Sequence, residues 1–162
     1  MKKKLLLPVL LLTAFACTPK NDIIDDNIGF AEKQLAGLIA ESEEDGMVRF
    51  PSTFKDGKVV FVPERDWVSG FFAGTMWYMY ELTGKEDYAV HAQKQTEALH
   101  NLQYFTEHHD VGFMVYDSYG NGLRLKNIPG YDTVLVNTAK SLATRFRPKA
   151  GIIQSWNVTG GW

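Results

Sequence analysis

Residues 67–84 read WVSGFFAGTMWYMYELTG, and of the whole chain this stretch is the most informative about fold class. Its apolar side chains occupy nearly every face of a helix rather than one stripe, which predicts a helix buried on all sides. Gly84 predicts the end of this helix, because glycine commonly follows a helix C-terminus. Gly70 and Gly74 share one face, where a second backbone can approach closely. The pattern therefore predicts a central helix over 67–83.

Amphipathic helices are predicted on both sides of this central helix. Apolar residues recur at three- and four-residue steps from Ile24 to Ile39, and again over 86–105 and 131–146. Residues 47–66 predict a long loop containing one hairpin, which turns at Asp56-Gly57. We therefore expect an all-α chain of helical hairpins. The side chains expected in its core are Phe71, Trp77, Leu99, Leu102, Leu135 and Leu142.

The last twelve residues differ in character from the rest of the chain. Residues 151–162 contain glycines and two tryptophans, no charged side chain and no helix cap. A small helical bundle does not normally end on such a segment. We interpret the chain as the beginning of a larger domain.

Composition narrows the classes of protein to consider. The chain has 162 residues, of which 45% are hydrophobic and 22% charged, and these values are typical of globular domains. They argue against disorder and against a multi-span membrane protein. The net charge of −2 argues against nucleic acid as the main partner, because phosphate binding relies on clustered Lys and Arg. Aromatic residues reach 13% and can line a pocket or fill a core.

The N-terminus predicts export and a lipid anchor. Lys2-Lys3-Lys4 is followed by the apolar run Leu5–Leu12, which is too short to span a membrane, and then by small residues and Cys17. The pattern is that of a bacterial lipoprotein signal, with a plain secretory signal as the alternative. We expect a signal peptide over 1–16, a lipidated Cys17 that begins a tether over 17–26, and the folded domain over 27–162. The expected location is the cell envelope, on the periplasmic or the outer-membrane face.

The strongest polar cluster is His108-His109-Asp110-Val111-Gly112-Phe113. A carboxylate beside imidazoles in a loop between helices suits acid–base chemistry or sugar binding. The alternative is that Asp110 simply caps a short helix that begins at Val111. Metal binding is disfavoured, because adjacent histidines rarely bind one ion and no second His follows at i+4 on a helix.

Two tryptophans are further candidates for sugar binding. Trp67 lies at the beginning of the central helix, where it can stack on a sugar ring or belong to the core. The core is the more common place for such a side chain. Trp156 lies in the tail and is harder to explain as a core residue.

The order of these motifs resembles glycoside hydrolase family 88, the unsaturated glucuronyl hydrolases. The matching pieces are Asp66-Trp67-Val68-Ser69-Gly70-Phe71-Phe72-Ala73-Gly74, then Trp77, Tyr80 and Thr83-Gly84, then His109-Asp110-Val111-Gly112-Phe113, then Arg145-Phe146 and Ile153-Gln154-Ser155-Trp156. Over 27–162 the resemblance implies the N-terminal part of an (α/α)6 barrel. It implies an enzyme without a cofactor or metal, acting on oligosaccharides with a 4,5-unsaturated uronic acid at the non-reducing end.

The resemblance also implies roles for single residues. Family members hydrate the vinyl ether of the unsaturated ring with the help of two Asp residues. The first maps to Asp110, and the second follows the Ser-Trp element, where this chain has no acid after Asp132. Trp67, His109 and Trp156 match positions that line the sugar site. The resemblance thus implies that this chain carries part of a site and is inactive alone.

Two other functions remain open at this point. One is a related (α/α)6 enzyme, such as an unsaturated rhamnogalacturonyl hydrolase, although the His-Asp-x-Gly-Phe element favours the glucuronyl type. The other is a non-enzymatic helical lipoprotein that binds glycans at the cell surface. In each case the expected partners are a glycan and, through the lipid anchor, the membrane.

Overall fold

A computed structural model describes residues 22–157, and these residues are mainly helical. The elements are α1 (Asp22–Ser42), β1 (Phe50–Lys55), β2 (Lys58–Val62), α2 (Phe71–Thr83), α3 (Glu86–Glu97), a 3-10 helix (His100–Tyr104), α4 (Val111–Val115), a π-helix (Tyr116–Gly120), α5 (Asn121–Lys126), α6 (Tyr131–Ala143), β3 (Phe146–Arg147) and β4 (Ile152–Ile153). The predicted all-α class is confirmed, since the strands form only two small antiparallel hairpins. Within 22–157, no helix has the length and apolar character needed to cross a membrane.

Helix α2 is central, as predicted, but one of its faces is exposed. Trp77 is fully buried, and its indole N–H donates to Thr96 Oγ1 on α3 at 3.0 Å. Phe71 and Tyr78, on the opposite face, are 37% and 52% exposed. The expectation that Phe71 is buried is therefore wrong. The reason is that the described helices pack against the other face of α2 and leave this one open.

Helix α2 begins later than predicted. It starts at Phe71 rather than Trp67, because residues 66–70 form turns in which the Val68 N–H donates to Asp66 Oδ1 at 3.1 Å. An Asp side chain bonded two residues ahead competes with helix formation. This turn places Trp67 at the surface before the helix begins.

The close approach predicted for the two glycines is confirmed. A Cβ on Gly70 would lie 2.2 Å from the Met114 carbonyl oxygen, and one on Gly74 would lie 3.1 Å from that of Asp117. The backbone of α2 therefore contacts the backbone of α4 and the π-helix directly. This contact fixes α4, and with it Asp110, against the start of α2.

Two other helices are shorter than the periodicity predicts. The segment predicted as one helix over 86–105 divides into α3 and the 3-10 helix, in which Leu102 N–H donates to the Leu99 carbonyl oxygen at 3.0 Å. Leu99 and Leu102 are buried, as predicted. Helix α6 ends at Ala143 rather than 146, because Phe146–Arg147 pairs with Ile152–Ile153 as a hairpin.

The first described helix starts within the segment expected as a tether. Helix α1 begins at Asp22, so residues 22–26 are helical. Asp25 and Asp26 lie near the start of α1, where acidic side chains interact favourably with the helix dipole. Cys17 and the predicted signal peptide lie outside the described residues. The β1–β2 hairpin is confirmed, and its turn has positive φ at both Asp56 and Gly57.

Candidate active site

Asp110 occupies the residue before α4 and is 7% exposed. Each of its carboxylate oxygens faces one imidazole. His109 Nε2 lies 3.1 Å from Oδ1, and His108 Nδ1 lies 3.6 Å from Oδ2. The sequence cluster is therefore one spatial unit, with a buried acid between two groups that can exchange protons.

The alternative that the Asp110 side chain caps α4 is wrong. This side chain makes no capping hydrogen bond to a backbone N–H of the helix. The main-chain carbonyl of Asp110 instead accepts from the N–H groups of Phe113 and Met114, at 2.8 and 3.2 Å. The carboxylate is therefore left free for contacts other than capping.

The tail places Trp156 against His108, one of the two imidazoles that face this acid. The Trp156 ring stacks on His108 with centroids 4.3 Å apart and planes 20° apart, and Phe105 meets the same imidazole edge-on at 4.7 Å. The His109 N–H donates to the Ser155 carbonyl oxygen at 2.9 Å. Trp156 remains 47% exposed, so part of its ring is available to a ligand.

Trp67 lies at one end of a row of three aromatic rings, the others being Phe71 and Phe113. Its ring meets Phe71 edge-on at 5.7 Å, and Phe71 lies 5.9 Å from Phe113, which follows Asp110 by three residues on α4. Trp67 is 44% exposed, so the prior preference for a core position is wrong for this residue. The structure connects Trp67 to the acid through this row and not by direct contact.

His108 and Phe113 belong to the polar cluster identified from the sequence. Arg145 lies within a motif quoted for the family resemblance but was not singled out as a site residue. Arg145 is 4% exposed and bonds to the segments that carry Trp156 and the His108–Asp110 loop. No periodicity rule identifies such a residue, because its partners are main-chain carbonyls distant in sequence.

Some polar groups at the site have no hydrogen-bond partner in the described part of the chain. They are the Nδ1 atoms of His108 and His109, both buried, although that of His108 lies 3.6 Å from Asp110 Oδ2, just beyond hydrogen-bond length. Buried polar atoms are normally paired, so unpaired ones call for an explanation such as a catalytic role or a bound ligand. In the π-helix, burial raises the pKa of the Asp117 carboxyl above its ordinary value, and this side chain makes no hydrogen bond or ion pair within residues 22–157.

A cleft of about 670 Å³ lies elsewhere, between α1, β1 and α2. Its walls include Lys33, Glu41 and Thr53. Phe71 borders both this cleft and the aromatic row, but no member of the His108–Asp110 cluster lines it. Across 22–157, no group of three or more His, Cys, Asp or Glu residues is placed to hold a metal ion.

Comparisons with known proteins point to one group of enzymes. A curated unsaturated glucuronyl hydrolase of Formosa agariphila is 41% identical over 99 residues, covering 59% of this chain and 24% of the relative. An unsaturated glucuronyl hydrolase of Bacillus sp. (strain GL1) is 33% identical over 133 residues, covering 76% of this chain and 34% of the relative. This chain thus spans a quarter to a third of the length of these relatives. No family model matches it.

Solved structures show the same likeness in three dimensions. An unsaturated glucuronyl hydrolase specific for heparin superposes with a TM-score of 0.78 at 40% identity, covering 88% of this chain and 38% of that one. The Bacillus sp. GL1 enzyme, described as responsible for the degradation of glycosaminoglycan, gives a TM-score of 0.64 at 28% identity, covering 85% and 35%. A further solved structure, whose name includes the saccharide dGlcA-Glc-Rha-Glc, also gives a TM-score of 0.64.

The fold is that of part of the α/α-barrel glycoside hydrolases. Within that class, the chain is a partial match to the unsaturated glucuronyl hydrolases, glycoside hydrolase family 88.

Proposed function

We propose that the protein containing this chain removes 4,5-unsaturated uronic acid from the non-reducing end of lyase-generated oligosaccharides. One observation carries the proposal, namely that Asp110 is buried between two imidazoles while making no capping bond. A carboxyl group held in this way is suited to proton transfer. The relatives named as unsaturated glucuronyl hydrolases support the same function.

The reaction adds water across the C4=C5 double bond of the unsaturated ring. In this proposal, the Asp110 carboxyl donates a proton to C4, and water adds to C5 as its second proton goes to a base. The hemiketal formed at C5 then opens, and the next sugar is released. The family's second Asp follows the Ser-Trp element, and no acid follows Asp132 here. We infer that this second carboxylate lies in sequence beyond Trp162.

The aromatic side chains form two walls for the sugar. Trp156, stacked on His108, supplies one wall next to Asp110, and Trp67 with Phe71 and Phe113 supplies the other. Partly exposed indole rings suit the apolar faces of sugars. The partly exposed His109 side chain, whose Nε2 lies 3.1 Å from Asp110 Oδ1, can hydrogen-bond to a sugar hydroxyl.

An absorbance assay tests this function in the full-length protein. Hydration removes the near-ultraviolet absorbance of the conjugated double bond, so unsaturated disaccharides from heparin and chondroitin should lose absorbance. The saturated counterparts should remain uncleaved, because they have no double bond to protonate. Turnover of unsaturated rhamnogalacturonan disaccharides alone would favour the related enzyme class. Binding of all these saccharides without turnover would favour a glycan-binding lipoprotein.

We also propose that the protein is anchored in the bacterial cell envelope by acylated Cys17. The support is the sequence pattern alone, in which a basic segment, an apolar run and small residues precede the single cysteine. Mass spectrometry of membrane-extracted protein should show Cys17 as an acylated N-terminal residue. An unmodified thiol in the soluble periplasmic fraction would contradict the anchor.

A further inference from the structure

Arg145 is a buried cation whose hydrogen bonds go to neutral oxygens. Its guanidinium donates to the main-chain carbonyls of Gln154 at 2.8 Å, Thr106 at 2.5 Å and Ser155 at 2.9 Å. It also donates to the Asn157 side-chain oxygen at 3.1 Å. No ion pair to a carboxylate is recorded for it in the described part of the chain. A buried charge of this kind needs several acceptors to offset its desolvation.

These bonds join two loops that carry different parts of the site. Thr106 lies just before the loop that carries His108, His109 and Asp110. Residues 154–157 carry Trp156. The Ser155 carbonyl oxygen accepts from both Arg145 Nη2 and the His109 N–H, so one atom links the guanidinium to the residue beside Asp110.

We propose that Arg145 is a positioning residue that holds the acid and the Trp156 wall in fixed relative geometry, which rests on the function proposed above. Asp110 and Trp156 are 46 residues apart in sequence, and the His108–Trp156 stack exists only if both loops are held. Arg145 bonds to both loops at once. It does not itself touch the sugar.

The shape of the guanidinium explains why arginine is required. Its donors form a planar fork in fixed directions, whereas a lysine ammonium is a compact point charge on a flexible stem. Lysine at 145 would keep the charge but could not bond in one plane to Thr106 and to 154–155. The two loops would keep the His109 N–H bond to Ser155 and the His108–Trp156 stack but lose the guanidinium's bonds to both sides, and the carbonyls left behind would be unpaired.

The expected kinetic effect follows from which groups are displaced. Trp156 and His109 contact substrate in the proposed site, so their displacement raises KM. Asp110 moves relative to C4, so kcat falls as well. Misplacement of a reacting group by about 1 Å can cost about 100-fold. We expect kcat/KM of Arg145→Lys to fall by about 100-fold.

The experiment combines hydrogen–deuterium exchange with kinetics on the full-length protein. Arg145→Lys should increase deuterium uptake in peptides covering 107–110 and 153–157, because the His109 amide loses its fixed acceptor. The matched control is Arg147→Gln in the same hairpin, whose guanidinium bonds to the Gln154 side chain and not to these carbonyls. Its uptake in both peptides and its kcat/KM should stay near wild type.

A second variant covers the case in which Arg145→Lys does not fold. Asn157→Ala removes one exposed acceptor of Arg145 and should produce a smaller change in the same direction in both measurements. Unchanged uptake in both peptides, or raised uptake with wild-type kcat/KM, would overturn the positioning role. A wild-type protein that is inactive on every unsaturated disaccharide would instead overturn the proposed function.

Discussion

Replacing Asp110 by Asn in the full-length protein separates a catalytic from a structural role. Asn has nearly the same shape, and its amide oxygen can still accept from the His109 ring, whose Nε2 lies 3.1 Å from Asp110 Oδ1. The stability cost is then the difference between two hydrogen bonds to the same imidazole, about 1 kcal/mol. A loss of this size lowers Tm by about 2–4 °C in a domain of 150–250 residues and by less in a longer protein, so we expect a fall of a few degrees at most.

The effect on rate is expected to be far larger. An amide cannot donate the proton that C4 needs, and loss of a positioned acid typically costs about 10²–10⁴ in rate. That range corresponds to about 3–5 kcal/mol of transition-state stabilisation. The expected result for Asp110→Asn is thus a nearly native Tm together with a collapse of kcat.

The assay follows loss of near-ultraviolet absorbance with an unsaturated disaccharide, and thermal melting is measured on the same preparation. Asp132→Asn is the matched control, since this exposed acid in the first turn of α6 lies outside the site. Its kcat should remain near wild type. If Asp110→Asn retains near-native kcat, Asp110 does not transfer the proton and the reasoning is refuted.

The remaining predictions concern packing, charge and the aromatic walls. Gly70→Ala should destabilise the protein by about 1–3 kcal/mol or more in denaturant unfolding, because its Cβ would lie 2.2 Å from a carbonyl oxygen. Gly29→Ala in α1, with nothing within 4 Å, should instead stabilise by about 0.5–1 kcal/mol; equal effects would contradict the close approach. Burial raises the pKa of Asp117, so its ionised form destabilises the fold above the raised pKa. Asp117→Asn should therefore raise Tm at pH 7. The gain in Tm should vanish as the pH falls below 3.8, the ordinary pKa of an aspartate carboxyl. A lower Tm at pH 7 would mean that the carboxylate has a stabilising partner. Trp67→Ala and Trp156→Ala should each raise KM in full-length protein, whereas unchanged KM for either would remove that ring from the sugar site.

The approximate positions of the helices and the main core residues could be predicted because they depend on the local spacing of apolar residues. Three-and-four spacing located α2, α3 and α6, and Trp77, Leu99 and Leu102 are buried as expected. Helix ends were less predictable. The 3-10 helix after α3 and the hairpin after α6 result from hydrogen bonds that local spacing does not encode.

The exposed face of α2 shows a different limit of sequence reasoning. An all-apolar helix predicts burial on every side, but burial depends on which neighbours are present. Phe71 and Tyr78 have the same apolar character as Phe72 and Trp77, yet the described helices cover only one pair. Sequence pattern alone cannot distinguish the two faces.

Part of the site could likewise be predicted from local sequence, and part of it could not. Local sequence was enough to place Asp110 beside His108 and His109, because adjacent residues in a short loop must lie close together. The motifs shared with the family also indicated Trp67 and Trp156 as site residues. The stacking of Trp156 on His108 and the burial of Arg145 depend on contacts between segments 39 to 48 residues apart. Such contacts arise only when the folded chain brings the two loops together, so they could be read only from the three-dimensional arrangement.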